Sequence, residues 1–558
     1  MRRFFVFVVF CGLCVVIGAV PAKPIVKDSV LADGSVVQMV LRGDEFYHYY
    51  EQITDCGLRI TDYRQQIAER RERAIAKRRM SDARAERPYM LGRAPHQAER
   101  GLAILVEFSD NSFTKVRQNF DDLLNKDGYD YNGATGSAMN YFKDASNGRY
   151  VPQFDVFGPY KLDREMSYYG QNDREGLDMH PDQMVVDAVA KLAADSLAGV
   201  DFADYDTDND GNIDNVFIYY AGYGENEGAP EDAVWPHAWE VYDEYVMGQL
   251  NYSGKRIKSY ACTSELQGSV GSTMCGIGTF CHEFSHVLGL PDFYVTDYGS
   301  SHKTLGDWDI MDAGAYLNGG NTPPTYSAHE RFYLGWLTPE ILKDSGDYVL
   351  EELQKSNKAY IITEIGEHNL DGGKPNPNTY FLLENRQKTG WDVYLPGHGM
   401  MISKTIYDED KWYNNVPNND KNSQGYDIIE ADGKAPNGSY GKAGDLFPGT
   451  SKITSYVLYA KYLIADIEEV DGVISFSFEE EQEVSVDNEE CVFGLISRLN
   501  DSELLGVSVG TIVYCYDGVG RLLWRKECVG NSLTFDTPNG LYVLRIIDGE
   551  NVRVIKGI

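Results

Sequence analysis

His282, Glu283 and His286 stand in an H-E-x-x-H spacing within GIGTFCHEFSHVLGLPDFY, residues 276–294, and Asp292 follows shortly after. On a helix the two imidazoles lie one turn apart on the same face, so both reach a single metal ion. Glu283 sits beside them. It does not easily join the same coordination shell, but it can take a proton from an attacking water and pass it on, the arrangement by which zinc enzymes hydrolyse amide bonds. Gly289 is expected to end the helix in the left-handed conformation, which turns Asp292 back as a third, oxygen ligand and leaves a fourth position open for water.

A helix with these duties must be buried and held still. Ile277, Phe280, Phe284, Val287 and Leu288 give it an apolar stripe. Cys262, Cys275 and Cys281 flank its glycine-rich approach, and a disulfide from Cys281 to one of the other two is expected to fasten the helix start. The sheet beneath it is expected from GLAILVEFSD at Gly101, a buried strand, and from VPQFDVFGPYKL, a second. Helices are expected around residues 120–124 and 137–145, and another from Pro181 to Leu197 with Val185, Val186, Val189, Leu192 and Ala193 on one face. Such alternation supplies a mixed sheet with helices packed on it.

A second chemical feature is DFADYDTDNDGNIDNVFIYYAGYG. Asp206, Asp208, Asp210 and Asp214 surround Gly211, and hard oxygen ligands about a tight turn suit calcium. Phe217 stands where an EF-hand places its bidentate Glu, so the loop is of another kind. His237, between two tryptophans, reads as a packed histidine outside the metal set.

With 558 residues the chain exceeds one core. A net charge of -34 excludes nucleic acid and anionic membranes as natural partners, because the long-range field repels polyanions. Residues 1–22 read as a signal peptide: Arg2 and Arg3, an apolar run, then Val20, Pro21 and Ala22 before a cut at Lys23. No later stretch is long and apolar enough to span a membrane. Residues 23–100 read as a pro-segment, a short β-like portion followed by a basic helical linker whose residues 64–100 hold 11 Lys/Arg against 5 Asp/Glu. Cys56 within it is a candidate zymogen switch, a thiolate that caps the metal until the segment is removed. Beyond the leader, Cys56, Cys262, Cys275, Cys281, Cys491, Cys515 and Cys528 make an odd number. A catalytic domain is expected over residues 101–338. The short alternating runs of residues 339–480 read as a β-rich accessory domain, and residues 488–558, after an acidic junction, as a C-terminal β-sandwich. His398, in LPGHGM, is read as a surface-turn residue.

Further along, residues 305–314 read LGDWDIMDAG, and a methionine in a tight turn past the third ligand resembles the Met-turn of metzincin-type peptidases. LVEFSD, DTDNDGNID, AGYGE, WPHAW, the helix segment and WDIMDAG, continued by YFLLENRQKTGWDVYLPGHGM, DIIEADG and GDLFPG, resemble the immune inhibitor A-like family of bacterial secreted metalloproteases over about residues 101–450. The resemblance implies an α+β fold: a zincin/metzincin-like catalytic domain with a mixed sheet and active-site helix, then β-rich, sandwich-like C-terminal domains. It also implies zinc on His282, His286 and Asp292, Glu283 as general base, and Met311 as the hydrophobic floor. Asp in place of the usual third His departs from most metzincins. Tyr316 is not assigned as a transition-state donor, because its offset from Met311 differs from the metzincin tyrosine. TIVYCYDGVGRLLWR and NGLYVLRIIDGENVRVIKGI resemble the sorting domain of type IX secretion, which implies export to the medium or cell surface. The combined expectation is a secreted zinc endopeptidase, made as a zymogen, with calcium as a second ion and proteins or peptides as substrates. The competing expectation is an adhesin-like surface protein whose zinc is structural, which would need a fourth protein ligand.

Overall fold

Residues 102–106 are apolar without interruption because their strand, Arg100–Glu107, is covered on both faces. Ala103 and Leu105 enter one apolar cluster, while Leu102, Ile104 and Val106 enter another. The structure is a computed structural model that describes residues 20–30, 35–44, 47–54, 57–58, 100–173, 177–207, 209–240, 248–257, 259–296, 302–433, 441–459 and 461–480, and in the C-terminal part residues 495–498, 501–505, 510–517, 522–529, 532–535, 542–548 and 551–557.

Five strands form the central sheet in the order Gln153–Lys161, Arg100–Glu107, Val216–Tyr223, Ser259–Leu266 and His237–Glu240, all parallel except the last pairing. Helix Pro181–Ala194 covers one face through Met184, Val185, Val189 and Leu192, and Pro181 itself occupies a first-turn position where no backbone donor is lost. Helices Arg117–Asn125, Ala138–Ala145 and Gly278–Val287 cover the other. The middle one begins at a capping box, with the Ser137 hydroxyl accepting from the Asn140 amide.

This layering corrects the expected disulfide. Cys262 faces the Pro181–Ala194 side of the sheet and Cys281 the opposite side, so the sheet itself separates them. Cys275 packs at the margin of the Cys281 cluster, yet the two remain separate thiols. None of the five described cysteines, Cys262, Cys275, Cys281, Cys515 and Cys528, is in a disulfide. Cys56 and Cys491 lie outside the described residues, as does the basic stretch of residues 64–99.

The β-like portion before it forms a four-stranded antiparallel sheet, Val26–Val30, Val36–Asp44, Tyr47–Thr54 and Gly57–Leu58. It docks on the central unit where Ala22 and Leu41 meet Trp235. Past residue 338, a five-stranded and a four-stranded sheet share one core, with Leu383 and Ile402 from the first and Ile464 and Phe476 from the second. The first sheet is buried on its other face as well, where Tyr380 and Leu382 meet Ala328 and Phe332 of helix Ala328–Tyr333. Trp391, Trp412 and Tyr426 join the same cluster as Phe284 and Met311. The change of texture at residue 338 is therefore a change of element type, with no gap between cores. At the C-terminus, a three-stranded and a four-stranded sheet both contribute to a small core, through Leu533 and Phe535 and through Val513 and Leu544. Among the described residues no helix is long and apolar enough to cross a membrane.

One buried ion network ties these parts together. Arg386 donates to both Asp392 oxygens at 2.8 Å and reaches Glu384 at 3.2 Å, and all three side chains are buried. Asp392 in turn accepts from the Thr325 amide and Glu384 from the Ala328 amide, so the segment leading into helix Ala328–Tyr333 hangs on these carboxylates. Arg386→Ala leaves two carboxylates buried without their cation, and we expect a loss of about 3–5 kcal/mol in denaturant unfolding. Arg386→Lys should recover little of it, because an ammonium cannot reproduce the planar, bidentate fork.

Candidate active site

Helix Gly278–Val287 drives Phe280 and Phe284 into the sheet, with Phe280 ring centroids 4.4 Å from Phe217 and 4.9 Å from Phe154. That burial turns the face bearing His282 and His286 toward the loops beyond. Its start is pressed so closely on Ala313–Gly320 that a Cβ on Gly278 would lie 1.9 Å from the Ala315 carbonyl oxygen, which only glycine tolerates. Gly289 turns the chain at φ 100°, and Asp292 comes back to the helix.

His282 Nδ1 bonds the Ile310 carbonyl at 2.7 Å and His286 Nδ1 the Leu290 carbonyl at 2.8 Å. A carbonyl only accepts, so each Nδ1 carries a proton and leaves its Nε2 facing Asp292. Those Nε2 atoms lie 3.2 and 3.4 Å from Asp292 Oδ1. The distances are close enough for ion pairs, yet all three atoms are buried without a hydrogen-bond partner. A tetrahedral ion with bonds of about 2.0–2.1 Å spaces its ligands about 3.3 Å apart. The contacts match the edges of such a tetrahedron, so the residues fit such an ion. Among the described residues this is the one group of three metal-ligating side chains whose ligand atoms lie within 4.8 Å of one another. Burial would raise the Asp292 carboxyl, but the facing His286 and His282 imidazoles push it down to about 2, so it stays an anion.

Asp292 is held from beyond residue 338. Its amide donates to Asn415 Oδ1 at 2.6 Å, and Asn415 Nδ2 donates to Asp292 Oδ2 at 2.5 Å. Asn418 and Asn419 secure the flanks, on the Phe293 carbonyl and the Thr296 amide. Met311 is fully buried, and its carbonyl accepts from the Phe293 amide at 2.8 Å, so the Met311 turn grips the residue after the third ligand. Local sequence offered no signal for Asn415, which sits in an asparagine-rich turn 123 residues from its partner.

Glu283 is buried, and burial raises its carboxyl to about 7 against the opposing pull of His282 and His286. Its Oε1 accepts from the backbone amide of Val20 at 2.9 Å. Val20 is itself fully buried, Tyr316 donates to the Pro21 carbonyl at 2.5 Å, and the Lys23 amide donates to the Asn226 carbonyl at 2.9 Å. Residues 20–22, assigned by sequence to the leader, are here built into the cleft. Tyr316 faces this peptide, a placement that its spacing from Met311 did not reveal. Just beyond, His48 stacks on Trp235 at 4.5 Å and bonds Glu225 at 2.6 Å, clamping strand Tyr47–Thr54 to the cleft wall. Burial alone would lower the His48 imidazole, but the hydrogen bond and charge of Glu225, with Asp44, outweigh it and the net shift is upward.

Asp206 is buried against Lys255 Nζ at 2.5 Å and accepts from the Asp210 and Gly211 amides, while Asp214 accepts from Thr207. Lys255 and turn donors bond these oxygens in the structure, and Asp208 lies outside the described residues. His237 is bonded through both nitrogens, to the Trp235 carbonyl and the Tyr260 hydroxyl. His398, read as a turn residue, pairs with Glu469 at 2.8 Å.

Residues 91–336 match the family described as immune inhibitor A peptidase M6, catalytic domain. Over 288 residues the chain is 26% identical to the pre-pro-metalloprotease PrtV of Vibrio cholerae serotype O1, a match covering 44% of this chain and 31% of that protein. Over 276 residues it is 26% identical to immune inhibitor A of Bacillus thuringiensis subsp. alesti, covering 42% of this chain and 39% of that protein. The matched stretches thus span less than half the length of either relative. His282, Glu283, His286 and Asp292 fall inside the matched region, whereas Asn415 falls outside it.

Two outcomes follow from this geometry. Asn415→Ala frees the Asp292 carboxylate and should weaken metal binding by about 10–100-fold in a chelator competition, with the fold retained by circular dichroism. The His48 imidazole has a raised value when docked, so its contribution is full below about pH 6.5 and is lost as pH climbs through the raised value. Hydrogen exchange in residues 47–54 should therefore accelerate with pH beyond its intrinsic dependence, and His48→Gln should remove that excess.

Proposed function

We propose that the chain is a secreted zinc endopeptidase made as a zymogen. The observation that carries this reading is the convergence of His282, His286 and Asp292 beside a buried glutamate whose carboxylate already holds a peptide N–H. Two neutral imidazoles and one carboxylate suit zinc, and His282, His286 and Asp292 are the residues that would hold it. When bound, zinc polarises the scissile carbonyl and lowers the pKa of water at the site. Glu283 takes the proton of the attacking water and delivers it to the leaving nitrogen. A peptide nitrogen 2.9 Å from Oε1 is within reach of that transfer. Ile310 and Leu290 fix the imidazole tautomers, and Asn415 fixes the carboxylate, so little reorganisation is left to the reaction itself.

Latency in this reading rests on the N-terminal segment, since Val20 lies on the base and fills the adjoining space. Cleavage of the leader after Ala19 rather than Ala22 keeps those residues on the exported chain. The acidic net charge and the two C-terminal sheets accord with export to the medium or cell surface, with type IX secretion as the proposed route. An adhesin-like protein with a structural zinc is less well supported, because among the described residues the metal group stops at three.

With the N-terminal segment released by limited proteolysis in both chains, Glu283→Ala should bind zinc at wild-type stoichiometry and keep its unfolding midpoint, while kcat/KM on a mixed peptide library falls by about a hundredfold to ten-thousandfold. Chelation of the wild type should abolish hydrolysis and zinc should restore it. Undiminished hydrolysis by the Glu283→Ala chain would overturn the mechanism.

A further inference from the structure

The segment in the cleft has the geometry of a peptide bound on the leaving side of a scissile bond. The Val20 nitrogen sits on Glu283, where a departing amine must be in order to receive its proton. From there the chain runs along a wall made by Tyr316 and the turn Glu225–Glu227. The contacts alternate as in an extended strand. The Pro21 carbonyl and the Lys23 amide face the wall, at Tyr316 and the Asn226 carbonyl, while the intervening Ala22 amide faces away to the Gly43 carbonyl at 2.7 Å. Asn226 Nδ2 also donates to the Tyr316 hydroxyl at 3.1 Å, so the hydroxyl is aimed before any peptide arrives.

Two positions of this peptide are read by side chain. Val20 is fully buried in the apolar cluster that also contains Ile277 and Met274. Lys23 places its Nζ 3.3 Å from Glu227 Oε2 and 5.7 Å from the centre of the Tyr316 ring. The Gly268 amide donates to the same Glu227 oxygen, and Glu227 is nearly buried, so the carboxylate is fixed in place rather than swinging in solvent. A fixed, half-desolvated carboxylate beside an aromatic face favours a cation and repels an anion.

We propose that Tyr316, Asn226 and Glu227 form the substrate-recognition wall of this site, selecting peptides with a small apolar residue directly after the cleaved bond and Lys or Arg three residues further on. Tyr316 and Asn226 hold the peptide backbone by one hydrogen bond each, which any sequence can make. Glu227 supplies the discrimination. The inference rests on the peptidase reading, and its test separates the two.

Zinc-loaded chain, released from its N-terminal segment by limited proteolysis, is incubated with a peptide library whose fourth residue after the bond is Lys, Ala or Glu, and the products are read by mass spectrometry. Wild type should prefer Lys over Glu there by about tenfold in kcat/KM, and Glu227→Lys should invert that ratio. Cleavage with the same Lys-to-Glu ratio in both chains would overturn the proposal. A second readout needs no hydrolysis: in the Glu283→Ala chain, Glu227→Lys should speed deuterium uptake across residues 20–25 severalfold, and adding Lys23→Glu should slow it again. Uptake indifferent to both changes would overturn the wall as a recognition surface. Absence of hydrolysis by the wild type after that release would count against the peptidase reading, and the exchange result would then decide the wall alone.

Discussion

Three polar atoms in the interior point at one another and bond to nothing else: His282 Nε2, His286 Nε2 and Asp292 Oδ1. A buried polar group left without a partner costs about 1–3 kcal/mol, and a charged one more, so a chain keeps such a cluster only when something outside the polypeptide satisfies it. The rest of the structure serves to make this frustration unavoidable. Carbonyls of Ile310 and Leu290 occupy the other imidazole nitrogens, the apolar side of the helix is sealed against the sheet, and Asn415 holds the second oxygen of Asp292. Each neighbour takes one alternative bond away, and what remains fits a metal ion.

That constraint explains why the modules are fused. A third ligand arriving on a loop is only as precise as the loop, and here Asn415, Asn418 and Asn419 from beyond residue 338 grip it on both sides. The Arg386 network then anchors the sheet from which those turns hang, through Asp392 and Glu384 to the segment before Ala328. The matched family region ends at residue 336, yet the machinery that steadies Asp292 does not. A unit cut there would lose Trp391, Trp412 and Tyr426 from the core that also holds Phe284 and Met311.

What the sequence made legible was local. Two histidines and a glutamate at helical spacing, a glycine that must turn, and continuous apolar strands all follow from periodicity and side-chain chemistry over a few residues. Partners brought together over long separations were not legible: Asn415 lies 123 residues from Asp292, and Val20 263 residues from Glu283. The disulfide failed for a related reason. In Ser259–Leu266 every residue is buried, so the hydrophobic pattern could not say that Cys262 faces away from the helix bearing Cys281. In the aspartate loop, local spacing could not show that Lys255, from a neighbouring strand, reaches Asp206. Glu227 looked like an ordinary loop residue, and the spacing of Tyr316 gave it no role, until the fold laid a peptide across them.

The central claim is that two imidazoles and one carboxylate hold the ion, with the remaining position left to water or to a passing peptide. Zinc K-edge X-ray absorption on the purified full-length chain reads that coordination shell directly. The account predicts nitrogen and oxygen neighbours at about 2.0–2.1 Å, with two imidazole contributions and no sulfur. A sulfur neighbour at about 2.3 Å, or a third imidazole, would contradict it.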